Sequence, residues 1–223
     1  MGARLAQLVV GLLLYGFTMA LMVQSGLGLD PWDVFHEGLT HHVPLTFGQV
    51  VIVVGAIVLL LWIPLKQRPG IGTVLNVLLI GLAADAGIAL IAAPGEMWAR
   101  VTLLVVGVVG NGVAGALYIG ARLGTGPRDG VWVALVERTG LSVRLVRTGI
   151  ELTVLATGFL LGGTVGIGTA LYALAIGPLV QFFLERLGGT SRDENFSSSR
   201  GTDAVRSSEN AMQEPRDAAV YVA

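Results

Sequence analysis

Cysteine is absent from this 223-residue chain, so no disulfide, thiolate metal site or cysteine nucleophile can be built from it. Lysine is almost absent: Lys66 stands alone beside the arginines, which leaves no polybasic patch, and a net charge of -1 gives no basis for binding nucleic acid. Charge of either sign is scarce, at 13% of residues, and much of it falls between Arg192 and Asp217, so the preceding body is poorer still. No Ser/His/Asp arrangement, H-E-x-x-H or Walker sequence occurs. The expectation is therefore a protein that is not an enzyme and has no cofactor or metal.

Apolar sequence fills the space. The hydrophobic fraction is 53% and the mean hydropathy +0.75, values of a membrane protein. Six runs, at 5–24, 46–65, 71–93, 100–121, 141–163 and 166–187, are each long enough to cross hydrocarbon about 30 Å thick, which takes roughly 20 helical residues. The first follows Arg4 as a secretory signal would, but it exceeds the roughly 7–15 residues of such a segment and lacks a small-x-small cleavage site. It reads as an uncleaved span.

The chain also repeats itself. An offset of 96 positions lays residues 3–81 on 99–177 without a gap, so that Leu27-Gly28 meets Leu123-Gly124, Pro31 and Asp33 meet Pro127 and Asp129, and Gly70-Ile71-Gly72-Thr73 meets Gly166-Ile167-Gly168-Thr169. Between the first and second runs of each copy lies a helix-start signature: Asp30 or Gly126 at the N-cap, Pro31 or Pro127 at the first position, Asp33 or Asp129 at the third. These predict short helices over 30–41 and 127–138, interfacial or re-entrant because about 18 Å of helix cannot span alone.

Arg4, Lys66, Arg68, Arg122, Arg128, Arg138, Arg144 and Arg186 fall on one side of a six-span arrangement and Arg100 on the other, which orients both termini to the cytoplasm. Three crossings per copy then invert the second copy relative to the first. The expected fold is an all-α membrane protein with six transmembrane helices in two inverted three-helix repeats, 1–97 and 98–187. A polar segment, 188–223, is expected to be a disordered cytoplasmic tail.

G-L-G-x-x-P-W-D at 26–33 and G-I-G-T-x-x-N-x-x-x-I-G at 70–81, with weaker second copies at 124–129 and 166–177, resemble the YczE/YyaS/YitT-type bacterial integral membrane proteins. The resemblance covers residues 1 to about 187. It implies a multi-pass bacterial membrane protein and supplies no catalytic residues. The second copy carries Arg128 where the first has Trp32, and Tyr172 where the first has Asn76.

Candidate solute- or ion-binding residues are the polar ones in the spans. Asp85, within 71–93, is either a proton or cation site or a structural hydrogen-bonding group, because a carboxylate in hydrocarbon costs about 2.5–3.5 kcal/mol and must face protein or water. Arg147 and Glu151, four apart, either neutralise each other along one helix face or bind an ion. Arg144, Arg147 and Glu151 stand where the first copy has Gly48, Val51 and Gly55, and Asp85 stands where the second has Gln181, so the polar centre is where the copies differ. Thr73, Thr169 and Asn76 belong to the Gly-Thr helix starts, which serve close packing or unwound backbone beside a cavity. Gly112, Ala116 and Gly120 form a small-residue stripe at spacing four. Asp30, Asp33, Pro31, Pro127 and Asp129 read as capping residues, although Asp30, Asp33, His36, Glu37, His41 and His42 also assemble potential metal ligands in one loop.

Inverted duplication with polar residues at mid-membrane favours a secondary transporter or exporter of a small solute. The alternative is a membrane scaffold acting through helix contacts; a metal-dependent enzyme at the first loop is a third reading. The expected partners are the lipid bilayer and that solute, with homo-oligomerisation left open and no nucleic acid.

Overall fold

The computed structural model describes residues 2–67 and 69–187; the expected tail lies outside them. Among the described residues the chain is helix and connecting loop, in the order α1 (Gly2–Ser25), α2 (Pro31–Thr40), α3 (Phe47–Leu60), α4 (Trp62–Leu65), α5 (Ile71–Leu90), α6 (Met97–Gly120), α7 (Pro127–Thr139), α8 (Val143–Leu160) and α9 (Ile167–Arg186). The 96-residue offset carries α1, α2, α3 and α5 onto α6, α7, α8 and α9. Pro64, which has no N–H to continue a helical ladder, lies just past the break that separates α3 from α4.

Among the described residues five segments are long and apolar enough to cross a membrane: α1, α3 with α4, α5, α6 and α9. The expected sixth, at 141–163, is α8, which has 18 residues and carries Arg144, Arg147 and Glu151. Its charge keeps it out of that group, because each ionised side chain opposes insertion.

The core is an antiparallel crossing of α1 with α6, flanked by α5 on α1 and α9 on α6. Small residues set the separations. A methyl on Gly11 would lie 2.9 Å from Tyr118 N, and one on its counterpart Gly107 would lie 2.7 Å from Met22 Cγ. Gly16 faces Ala83 of α5 as Gly112 faces Leu179 of α9, so the Gly112/Ala116/Gly120 stripe is used inside the molecule: Ala116 is buried and Gly120 meets Gln7 and Leu184. Arg100 seals the end of α1, donating to Ser25 O at 2.7 Å and Gly26 O at 2.9 Å.

The two copies also clasp each other. Gly72 N donates to Leu123 O at 2.9 Å, and its counterpart Gly168 N donates to Leu27 O at 2.8 Å. Gly28 (φ +115°) and Gly124 (φ +141°) make the approach feasible, since that backbone region admits little but glycine. A methyl at Gly28 would meet Gly166 N at 2.6 Å, and one at Gly124 would meet Thr73 Oγ1 at 2.8 Å. The Leu-Gly and Gly-Ile-Gly-Thr motifs of the sequence are thus each other's partners, paired across the copies.

Candidate functional site

A cavity of about 560 Å³ lies between the two copies, lined by residues of both. The first turns of α2 and α7 face it from opposite copies, and their starts explain why. Asp30 Oδ1 accepts from Trp32 N (2.9 Å) and Asp33 N (3.2 Å), capping α2 ahead of Pro31. Asp129 Oδ2 accepts from Gly126 N at 3.2 Å ahead of Pro127, and its Oδ1 accepts from Trp132 Nε1 at 3.2 Å. Asp30 thus caps α2, Asp129 holds the Gly126 N–H at the start of α7, and the Asp33 carboxylate turns instead to His36.

What the sequence reading missed is what these starts present to each other. The Arg128 guanidinium lies 4.7 Å above the Trp32 ring, and these are matched positions of the two copies. Arg128 also comes within 3.9 Å of Asp33 Oδ1. Asp33 is wholly buried, with His36 Nδ1 3.1 Å from the same oxygen and no partner on Oδ2. Burial, then the neighbouring Asp33 carboxylate, pushes Asp30 up to about 7. Burial pushes Asp33 up to about 6 against the pull of Arg128, and burial with Arg128 brings His36 down to about 3. The sequence signal was the Trp32-to-Arg128 difference between copies.

A second network joins the spans behind this pair. Tyr172 donates to Asn111 Oδ1 at 3.0 Å, Asn111 Nδ2 donates to Thr18 Oγ1 at 3.1 Å, and the Tyr15 and Tyr172 hydroxyls are 3.4 Å apart. Tyr15, Asn111 and Tyr172 line the cavity with Tyr118, whose buried hydroxyl has no partner among the described residues.

Of the residues chosen from sequence, Asn76, Arg147 and Glu151 line the cavity and Asp85 does not. Arg147 Nε donates to Glu151 Oε1 at 2.9 Å, an exposed i,i+4 pair. Asp85 sits beside the start of α3, because α3 and α5 run antiparallel: its Oδ1 accepts from Gly48 N at 2.7 Å and its Oδ2 from Thr46 Oγ1 at 2.5 Å. Thr73 and Thr169 hold the helix starts, each accepting from the glycine three residues earlier at 3.2 Å, and Thr73 also donates to Thr125 O at 2.8 Å. As for metal ligands, His42 Nε2 lies 3.2 Å from Leu161 O, and no three His, Asp or Glu side chains converge among the described residues.

The cavity wall is asymmetric. Gly48 and Gly81 let α3 and α5 touch backbone to backbone, and Asp85 ties that seam. The matched positions on α8 and α9 are Arg144, Gly177 and Gln181. There α8 and α9 both contribute lining residues yet do not pack on each other, and a methyl at Gly177 would meet nothing within 4 Å. Instead α8 rests on α2, where Gly158 lies against Phe35, while Trp62 fills the equivalent space against Gly130 and donates to Pro127 O at 2.8 Å.

Residues 2–185 match the model of a family described as a family of unknown function (DUF6198). An uncharacterized protein of Haemophilus influenzae is 40% identical over 177 residues, covering 79% of this chain and 81% of that one. The uncharacterized membrane protein YczE of Bacillus subtilis is 34% identical over 200 residues, 89% and 92% of the two chains, and YyaS of the same organism is 22% identical over 179 residues, 78% and 89%. No solved structure matches.

Proposed function

The chain belongs to this DUF6198 family of multi-pass membrane proteins, the YczE/YyaS type, and from that premise we propose that it is a secondary transporter or exporter of a small solute, built as two inverted repeats around the cavity. The observation that carries the reading is the unequal wall: the α3–α5 seam is shut by Gly48, Gly81 and Asp85, while the equivalent α8–α9 boundary stands apart. Related halves in unlike arrangements around one site are what alternating access requires. With α8 taken as a sixth crossing whose Arg147–Glu151 pair faces the cavity, both termini lie in the cytoplasm, the shut seam lies toward the outside and the parted one toward the inside. Asp85 then acts as the latch of the outer seam, whereas Arg147 and Glu151 stand at the inner opening. The proposal assigns no catalytic step.

The natural absence of cysteine makes the test direct. Single cysteines at Val54 and Ile176, both lining the cavity, would be treated with a membrane-impermeant maleimide in right-side-out and inverted vesicles. The reading expects labelling mainly from the cytoplasmic face, and labelling from outside to rise in Asp85→Ala. Cavity cysteines that react equally from both faces, or from neither in any variant, would defeat it.

A further inference from the structure

Several carboxylate oxygens around the cavity are already engaged, whereas its strongest donor is not. Asp30 Oδ1 holds two backbone N–H groups, both oxygens of Asp129 are used, and Glu151 Oε1 holds Arg147. Arg128, in contrast, makes no hydrogen bond among the described residues. Its guanidinium rests on the Trp32 face at 4.7 Å and stays 3.9 Å from Asp33 Oδ1, beyond hydrogen-bond reach. The side chain is 31% exposed, and the surface it shows lines the cavity. Tyr118 adds a second uncommitted hydroxyl on the same wall, from a side chain only 7% exposed.

The positive ends of α2 and α7 also point here, but Asp30 and Asp129 already offset them. The planar guanidinium therefore remains as the group whose geometry asks for an oxyanion, since its fork of donors matches a carboxylate bidentately. Asp33 is its present counter-ion, near enough to hold the charge in place but too distant to occupy the donors. Trp32 beneath it, with Trp132 and Tyr172 elsewhere in the lining, gives the cavity aromatic surface, and about 560 Å³ is ample for a small ring compound.

We propose that the cavity binds a small organic anion whose carboxylate takes the Arg128 guanidinium in competition with Asp33, its apolar body lying among Trp32, Trp132 and Tyr172. The assignment rests on the transporter reading of the same cavity. Two substitutions then act in opposite directions. Loss of Arg128 removes the anion's partner; loss of the Asp33 charge removes the anion's competitor.

The test uses the purified full chain in nanodiscs, with benzoate, neutral benzamide and benzylammonium as probes and tryptophan fluorescence as the readout. Saturable benzoate binding is expected, about 10- to 100-fold weaker in Arg128→Gln, as loss of a charge-assisted hydrogen-bonded contact dictates. Arg128→Lys should be intermediate, Asp33→Asn several-fold tighter than the native protein, and benzamide and benzylammonium at least tenfold weaker than benzoate. Monodisperse elution and native helix content identify the variants that fold; Asp33→Asn keeps the test decisive if Arg128→Gln does not. Absence of saturable benzoate binding, equal affinity in Arg128→Gln, benzylammonium binding as tightly as benzoate, or weakening by Asp33→Asn would each overturn the assignment. Maleimide accessibility separates this from transport: switching access without anion binding sinks the anion site alone, and anion binding with access open equally to both faces sinks alternating access alone.

Discussion

A methyl group at Gly81 would overlap the carbonyl oxygen of Gly48 and crowd the Ile52 side chain, whereas a methyl at the matched Gly177 would meet no atom within 4 Å. The same substitution, Gly→Ala, at the same place in each repeat therefore has opposite expected effects. At Gly81 the obstacle is backbone, which cannot rotate aside, so α3 and α5 must separate; overpacking of this kind costs about 1–3 kcal/mol. At Gly177 no neighbouring helix stands in the way, and the crowding of a new Cβ against the Pro178 ring that follows it inside α9 is set against the higher helix propensity of alanine, worth up to about 1 kcal/mol. For a chain of this length, each kcal/mol shifts Tm by roughly 2–4 °C. Thermal unfolding in one detergent, followed by size-exclusion of the monodisperse fraction, should show Gly81→Ala melting several degrees below the native protein and Gly177→Ala level with it or above. Transport adds a second requirement: Gly177 must approach Arg144 and α8 when the inner opening closes, so Gly177→Ala should hold the cavity open to cytoplasmic maleimide. If Gly177→Ala proved as damaging as Gly81→Ala, the two seams would be alike, and the asymmetry behind the transport reading would be gone.

Other outcomes follow from individual contacts. Benzoate should bind more tightly as pH falls from about 8 toward 5.5: Asp33, raised to about 6 by burial, takes a proton and releases Arg128 while benzoate stays ionised; the groups facing it are Asp30, His36, Glu37 and, from α7, Arg128. That dependence should shrink in Asp33→Asn, and an unchanged dependence there would assign it to Asp30, which burial raises to about 7. Gly28→Ala, at φ +115° and facing Gly166 N at 2.6 Å, should lower Tm by several degrees, and Gly124→Ala should match it. Trp62→Phe, which loses the indole bond to Pro127 O, should cost about 0.5–1.5 kcal/mol in unfolding free energy. Glu151→Gln should change stability by less than about 1 kcal/mol, because the Arg147 pair is exposed.

The helices, their starts and the positions related by 96 residues were legible because each depends on local pattern: apolar run length, a capping Asp or Thr, a proline at the first turn. The cross-copy clasp was not. Leu27 and Gly168 recur at matched places in the alignment of copies, but recurrence does not say which recurring piece touches which. Arg128 shows a different limit. Counting positive charges places it in a cytoplasmic loop, whereas α7 begins one residue earlier and its first turn faces Trp32 across the cavity. Asp85 is the converse: its place in an apolar run suggests a lone intramembrane carboxylate, yet the antiparallel neighbour supplies Thr46 and the Gly48 N–H. The Thr46–Gln49 capping box went unread in the sequence, and the alignment of that helix start with α5 is a tertiary fact.

The clasp between Leu27 and Gly168 also dictates an order of events during synthesis. Leu27 emerges early, but the N–H that its carbonyl accepts belongs to a residue made roughly 7–28 s later at about 5–20 residues per second. Throughout that interval the loop after α1 carries an open acceptor and a glycine held for a neighbour that does not yet exist. The first half of the chain is thus inserted as an unfinished object, completed by the last of the described helices to leave the ribosome. A chain cut after residue 97 should accordingly be a substrate for membrane proteases rather than a stable half-protein, and co-expressing residues 98–223 should rescue it.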